Sequence, residues 1–289
     1  MSTFFAINPT TVCSIARSSF FSRTANLSGG SPSFSTVNVR FPFRFPFRRL
    51  CSSSMVNAGV DSGMDDIQRR LMFEDECILV DELDRIVGHD SKYNCHLMEK
   101  IESENLLHRA FSVFLFNSQY ELLIQQRSAT KVTFPLVWTN TCCSHPLYRG
   151  SELIEKDHLG VRNAAQRKLF DEVGIKAEEV PVDEFIPLGR ILYKAPSDGK
   201  WGEHELDYLL FIVRDVNFCP NPNEVADAKY VNRSELRELL RKADANESGI
   251  KLSPWFRLIV DNFLFKWWDN VEKGTLMDVA DMKTIHKLV

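Results

Sequence analysis

The side chains best suited to hold an ion are His96, His108, His145, Glu203 and Glu205. Three imidazoles with two carboxylates make a donor set for a divalent transition metal, or for a hard ion that tolerates nitrogen. Glu203 and Glu205 stand two residues apart at the mouth of a predicted strand. Side chains alternate with period two along a strand, so both project from one face. Such a pair can share one cation, or hold one proton between its members. The opposing reading is ordinary: seven histidines are scattered along the chain, and any one of them serves as readily on a surface or in a core. Cys143 is the second candidate. A thiol acts as nucleophile or base only where its neighbours favour the thiolate, and His145 lies two residues on. A buried, inert cysteine is the commoner fate of the residue.

A third feature is the run Arg167-Lys168-Leu169-Phe170-Asp171-Glu172-Val173-Gly174-Ile175. It resembles the core of the Nudix box, arginine-glutamate-aliphatic-x-glutamate-glutamate-x-glycine-aliphatic, whose glutamates hold magnesium on a diphosphate. Lys168 replaces the first glutamate of that trio. Upstream, Leu153 stands where the box has glycine and Leu159 where it has glutamate. Read by itself, the run is a charged amphipathic helix closed by a glycine. The missing acids argue against metal-assisted hydrolysis, and a lysine in their place favours holding a diphosphate.

Further segments join these: Lys92-Tyr93-Asn94-Cys95-His96-Leu97, Leu107-His108-Arg109-Ala110-Phe111, Trp138-Thr139-Asn140-Thr141-Cys142-Cys143-Ser144-His145-Pro146, Trp201-Gly202-Glu203-His204-Glu205-Leu206-Asp207-Tyr208 and Ser253-Pro254-Trp255. In this order they resemble the type I isopentenyl-diphosphate isomerases, a Nudix-fold family that isomerises rather than hydrolyses. The resemblance runs from about Asp65 to the C-terminus. It implies a metal site at His96, His108, His145, Glu203 and Glu205, taking zinc, manganese or magnesium. It implies Cys143 as the catalytic thiol, with Cys142 structural, Tyr193 as the active-site tyrosine and Trp255 as an aromatic shield. Lys92, Arg127, Lys131 and Lys168 fall at diphosphate-binding positions, and Glu172 at the ligand of a magnesium ion that arrives with substrate. The implied reaction turns isopentenyl into dimethylallyl diphosphate and supplies isoprenoid biosynthesis, carotenoids and chlorophyll included. Glu205, aided by Tyr193 and the metal, protonates the alkene on one face; Cys143 takes the C2 proton on the other. The rivals are a Nudix hydrolase and a non-catalytic binding module on the same scaffold.

These groups need rigid supports. Asp75 to Val87 reads as strand, turn, strand. The apolar run Ala110–Phe116, then Asn117-Ser118, then Glu121–Gln125 reads as a hairpin. Ser151 to Glu172 is long enough for a helix, with Val161, Ala164, Ala165, Lys168, Leu169 and Glu172 at helical spacing and Gly174 as its stop. Glu205 to Val213 reads as a strand entering a core. Ser234 to Ala243 reads as a helix capped by Ser234. Ser253-Pro254-Trp255 opens another helix, proline in its first turn, that runs to about Lys273. No internal repeat or linker interrupts 65–289. The simplest architecture is one α+β domain, a Nudix-like mixed β-sheet with flanking helices.

The net charge of -4 conceals an asymmetry. Of the 35 basic side chains, six arginines lie in residues 1–60, which contain no acid. The remaining 29 face all 39 acids, so the body has no global attraction for nucleic acid. The Ser-, Phe- and Arg-rich leader matches an organellar transit peptide that import machinery would read, with Pro42 and Pro46 breaking any helix there. The expected address is the plastid, with the mitochondrion as the alternative; a basic tail bound to an anionic surface is the other reading. Starts at Met55 or Met64 would give cytosolic or peroxisomal short forms, although Lys287-Leu288-Val289 only approximates a peroxisomal tripeptide. Seven cysteines without regular spacing argue against a disulfide scaffold and for a reducing compartment. No stretch of about 18 apolar residues exists to span a membrane.

Overall fold

The computed structural model describes residues 63–288; the leader assigned to 1–60 and the start at Met55 lie outside the described residues. Residues 63–289 group as one unit. It opens with α1 (Asp66–Glu74), capped by the Asp65 carboxylate, which accepts from the Ile67 and Gln68 amides. β1 (Glu76–Val80) and β2 (Ile86–Ser91) form the expected antiparallel pair. Two short helices follow, α2 (Lys92–Cys95) and α3 (Met98–Glu104).

β3 (His108–Phe116) and β4 (Leu122–Arg127) flank the predicted turn, but their hairpin closes on one pair, Phe116 with Leu122. The reason is competition for the edge of β3. β6 (Cys142–Ser144) pairs there, setting Phe111 opposite Ser144 and Ser112 opposite Cys143. β4 turns away to β5 (Trp138–Thr139) and to β9 (Val225–Val231). Every residue of β3 is buried, as a central strand covered on both faces requires.

α4 (Leu159–Val173) corrects the expected helix 151–172: it starts eight residues later. The segment before it folds back across the helix N-terminus, and the Gly160 amide donates to the Ile154 carbonyl at 2.7 Å. A Cβ at Gly160 would meet the Glu152 carbonyl oxygen at 2.2 Å, so glycine permits the close crossing. The far end agrees with expectation: Gly174 caps the helix at φ 70°.

β7 (Ile186–Pro196) and β8 (Gly202–Val213) form a long antiparallel pair, and β8 runs parallel to β3 along its whole length. α5 (Arg233–Asp244) is capped by Asn232, not by Ser234. The Asn232 side chain accepts from Ser234 and Glu235, while Glu235 accepts from the Asn232 amide, a reciprocal cap that outcompetes a lone serine two residues on. Ser253 caps α6 (Pro254–Ile259), which continues through a π-helical turn, Val260–Leu264, into α7 (Phe265–Lys273). β10 (Ile285–Leu288) closes the chain beside β7.

The sheet order is β10-β7-β8-β3-β1-β2, with the β4, β5, β6 and β9 group joined at β3. One face buries α4 through Val161, Ala164, Ala165, Leu169 and Val173. The other buries the C-terminal helices through Trp255, Phe256, Ile259, Trp267 and Trp268. Helices on both faces of a mixed sheet are the expected architecture. Among the described residues no helix is long and apolar enough to cross a membrane. Cys77, Cys95, Cys142 and Cys143 are free thiols.

Candidate active site

Three adjacent strands set the first group. His108 opens β3 directly opposite Glu205 on β8, and Tyr193 on β7 pairs with Glu205 from the other side. Glu203, two residues earlier, pairs with Ala195. Glu203 and Glu205 therefore share a face, as their spacing predicts. His96 follows the last residue of α2, and His145 the last residue of β6.

The five side chains converge. One donor atom from each of His96, His108, His145, Glu203 and Glu205 lies within 4.8 Å of every other, and all five residues are buried. His96 Nε2 stands 2.9 Å from Glu203 Oε2, His145 Nε2 2.8 Å from Glu205 Oε1, and His108 Nε2 3.5 Å from the same oxygen. His108 Nδ1 and Nε2 and Glu203 Oε2 nevertheless have no partner in hydrogen-bonding geometry. Short distances without bonding angles are what lone pairs give when they aim at a common centre. Buried polar atoms left in that state are costly, and a cation among them removes the cost. His96 Nδ1 lies 2.7 Å from the Lys92 carbonyl, which makes Nδ1 the donor and turns the Nε2 lone pair inward. The residues thus fit a divalent metal.

Their charge states agree with that use. Burial, then the neighbouring imidazoles, pulls His108 and His145 below the ordinary histidine value, keeping both neutral. Burial pushes the Glu205 carboxyl up, but the nearby His108 imidazole, with the Tyr193 hydroxyl that donates to it, outweighs burial and holds it down to about 2. The Tyr193 hydroxyl donates to Glu205 Oε2 at 2.5 Å, and burial beside that carboxylate raises the phenol well above its usual range. Tyr193 keeps its proton and Glu205 lacks one.

Cys143 lines the same cavity as Tyr193, Glu203, Glu205 and Trp255. Burial pushes its thiol up to about 12, against the pull of Arg127. The expectation that His145 favours the thiolate is not realised, because His145 turns to Glu205 and the thiol's polar neighbour is Arg127 Nη1 at 3.8 Å. Arg127 is held rigidly. Its guanidinium donates to the Thr133 carbonyl at 2.8 Å and the Phe134 carbonyl at 3.0 Å, and it lies 5.5 Å from the Trp255 ring centre. Trp255 Nε1 donates to Asn140 Oδ1 at 3.1 Å. The Asn140 amide in turn donates to the Cys142 carbonyl at 2.8 Å, so one buried asparagine ties the tryptophan to the strand bearing Cys143.

Lys92, Arg127 and Lys131 line the cavity. Burial, with Lys131 and Lys168 beside it, pulls Lys92 below the ordinary lysine value. Lys168 and Glu172 do not line the cavity. They face each other at 3.3 Å, and Glu172 also accepts from Gln125 at 3.0 Å and from the Cys142 thiol at 3.4 Å. Burial opposes the charge on both, yet their mutual attraction wins, keeping Lys168 raised and Glu172 lowered. Sequence reasoning missed Thr133 and Ser144 in the lining, and it missed Asn140 and Glu224, whose partners lie about a hundred residues away. The one available signal was polarity inside apolar runs.

Residues 106–256 match the family model of the NUDIX domain. The Cannabis sativa protein named Isopentenyl-diphosphate Delta-isomerase 1, chloroplastic, is 80% identical over 240 residues, 83% of this chain and 84% of that one. The Camptotheca acuminata protein named Isopentenyl-diphosphate Delta-isomerase I is 81% identical over 235 residues, 81% of this chain and 100% of its own. The Arabidopsis thaliana protein named Isopentenyl-diphosphate Delta-isomerase II, chloroplastic, is 76% identical over 247 residues, 86% and 87% of the two chains.

Proposed function

We propose a division of labour within this chain, which belongs to the isopentenyl-diphosphate Delta-isomerase family and converts isopentenyl diphosphate to dimethylallyl diphosphate. The proton-moving groups are Cys143 on one side of the substrate and the Tyr193–Glu205 couple on the other. One observation carries the reading: Cys143, Tyr193, Glu205 and Trp255 line a single cavity together with Lys92, Arg127 and Lys131.

The diphosphate lies against Lys92, Arg127 and Lys131, with Lys168 behind, and its binding energy orients the short hydrocarbon. Arginine gives two-point contact with a phosphate. The alkene is a weak base and needs a well-placed acid. Tyr193 holds the proton on the hydroxyl oxygen that faces Glu205 at 2.5 Å, and Glu205 passes it on. A divalent cation at His96, His108, His145, Glu203 and Glu205 supplies positive charge that makes this couple more acidic. Cys143 accepts the proton lost from C2. Burial opposes the thiolate, and the Arg127 guanidinium 3.8 Å from the sulfur supplies the charge that favours it. In the reverse direction the protonated thiol is the acid. The tertiary cation that passes between must not meet water. Trp255 faces it with a π surface, worth about 2 kcal/mol when desolvated.

Glu172 would hold a magnesium ion on the diphosphate, exchanging its pairing with Lys168 for the cation. Zinc or manganese suits the three-histidine site. The word chloroplastic in relatives' names supports a plastid address, carried by residues 1–60 as a transit peptide. The test is direct. Incubation with isopentenyl diphosphate yields the allylic isomer with no free phosphate; release of phosphate instead would establish a hydrolase.

A further inference from the structure

Glu224 precedes β9, is 3% exposed, and takes no part in the chemistry above. Its Oε2 accepts from Lys131 Nζ, and its Oε1 accepts from the Gln68 amide on α1 at 3.0 Å. Its backbone is equally tied. The Ser128 amide donates to the Glu224 carbonyl at 3.0 Å, and the Glu224 amide donates to the Asn221 carbonyl at 2.9 Å. The Asn221 amide donates to the Glu172 carbonyl at 2.8 Å. One residue thereby joins the loop that carries Lys131, the end of α4 that carries Glu172, and α1. Lys168 and Lys92 also act on its carboxylate, which is held well below the usual range although burial opposes this.

We propose that Glu224 is a positioning residue that makes diphosphate binding depend on a divalent cation. The inference rests on the diphosphate reading of Lys92, Arg127, Lys131 and Lys168. Those four cations face two carboxylates, Glu172 and Glu224. A diphosphate monoester carries about three negative charges near neutral pH, one more than the surplus cations can balance. Lys131 must share itself between Glu224 and a phosphate oxygen, and the carboxylate left behind repels that oxygen. A divalent cation arriving with the ligand reverses the imbalance. Without the Glu224 charge, the four cations and the remaining carboxylate balance the ligand unaided. Glu224 therefore holds Lys131 in place and weakens the site for a bare diphosphate.

Calorimetric titration of inorganic pyrophosphate into the metal-loaded protein, with and without added magnesium, tests this without turnover. Wild type binds pyrophosphate weakly alone and more tightly with magnesium. Glu224→Gln keeps the shape and the contact with Lys131. It should bind bare pyrophosphate about tenfold more tightly, the size of one unit charge several ångströms away in a screened site, and its gain from magnesium should shrink by the same factor. An unchanged magnesium gain in this variant overturns the inference. Gln68→Ala breaks the 3.0 Å contact without altering charge, and should keep the wild-type gain; a loss there as large as in Glu224→Gln assigns the effect to packing and also overturns it. If Glu224→Gln does not fold by circular dichroism, Lys131→Met decides, because an uncompensated Glu224 must increase the magnesium gain. Failure of wild-type protein to bind pyrophosphate under either condition would refute the diphosphate reading itself.

Discussion

Tyr193→Phe isolates the proton couple. Strand register places Tyr193 opposite Glu205, and the substitution deletes only the hydroxyl that donates to Oε2 at 2.5 Å. The ring stays packed near Trp255, at 6.3 Å between centres. Glu205 Oε1 keeps His145 at 2.8 Å, so the carboxylate remains anchored. A hydrogen bond to a charged group contributes about 1.5–3 kcal/mol, which in a transition state is roughly 10- to 150-fold in rate. Loss of the proton that this hydroxyl holds adds part of the about 10²–10⁴ attributed to a positioned acid. The expected outcome is a kcat lower by about 10² or more. KM should stay within about twofold, because the hydroxyl's bond is to Glu205 and not to the basic group. The assay is conversion of isopentenyl diphosphate in deuterated water, following deuterium in the allylic product. A variant with wild-type kcat and a raised KM would refute the reasoning, since Tyr193 would then serve binding alone.

Cys143→Ala should lose isomerisation by about 10³-fold or more while remaining folded and metal-loaded; wild-type turnover by this variant would remove the thiol from the mechanism. Gly174→Ala should destabilise the fold by about 1–3 kcal/mol, because φ is +70° and a Cβ would meet the Cys219 carbonyl oxygen at 2.4 Å; an unchanged thermal midpoint would contradict the strain argument. Chelated protein should lose stability as pH falls. His108 and His145 are held below the ordinary histidine value by burial, so the unfolded chain takes up protons below about pH 6.5 that the folded chain refuses. Stability is complete above that pH and is lost on descent through the two lowered values, by at most about 1.4 kcal/mol per pH unit for each histidine. Urea midpoints identical at pH 7.5 and 5.5 would show that these imidazoles are not held neutral.

Parts of this site were legible because local rules reach them. The period-two spacing of Glu203 and Glu205 sufficed to put both on one face, and Gly174 sufficed to end α4. The start of α4 was not legible. Ser151 to Glu172 is long enough for a helix, but left-handed backbone at Asp157 and His158 and the packing of Gly160 against the Glu152 backbone hold the helix to its later start. The register of His108 with Glu205 joins residues 97 positions apart, beyond any local pattern. Asn140 and Glu224 were invisible for the same reason: each is a single polar residue whose meaning is a distant partner. The thiolate expectation for Cys143 failed differently. Proximity in sequence put His145 beside it, but adjacent strand positions project to opposite sides, and two-residue neighbours diverge once β6 ends at Ser144.

The altered box on α4 explains where the chemistry went. Lys168 and Glu172 stand one turn apart and satisfy each other at 3.3 Å, so the helix on which the box sets a cluster of acids carries a nearly neutral pair here. The reactive groups ride on strands instead, and the strand order suits the task. β3 lies between β6 and β8, with Cys143 opposite Ser112 and Glu205 opposite His108, so the two backbones are offset by two strand spacings across and four residues along, roughly 16 Å. An allylic isomerisation needs a proton donor and an acceptor on opposite sides of a thin hydrocarbon. From those two positions the side chains of Cys143 and Glu205 reach one cavity that Tyr193 and Trp255 also line, which is what the proposed pair of proton-moving groups requires. Glu203 and Glu205 meet His96, His108 and His145 on the sheet, so the acids of this site serve an imidazole-lined ion site and not the row of carboxylates that the box sets along a helix.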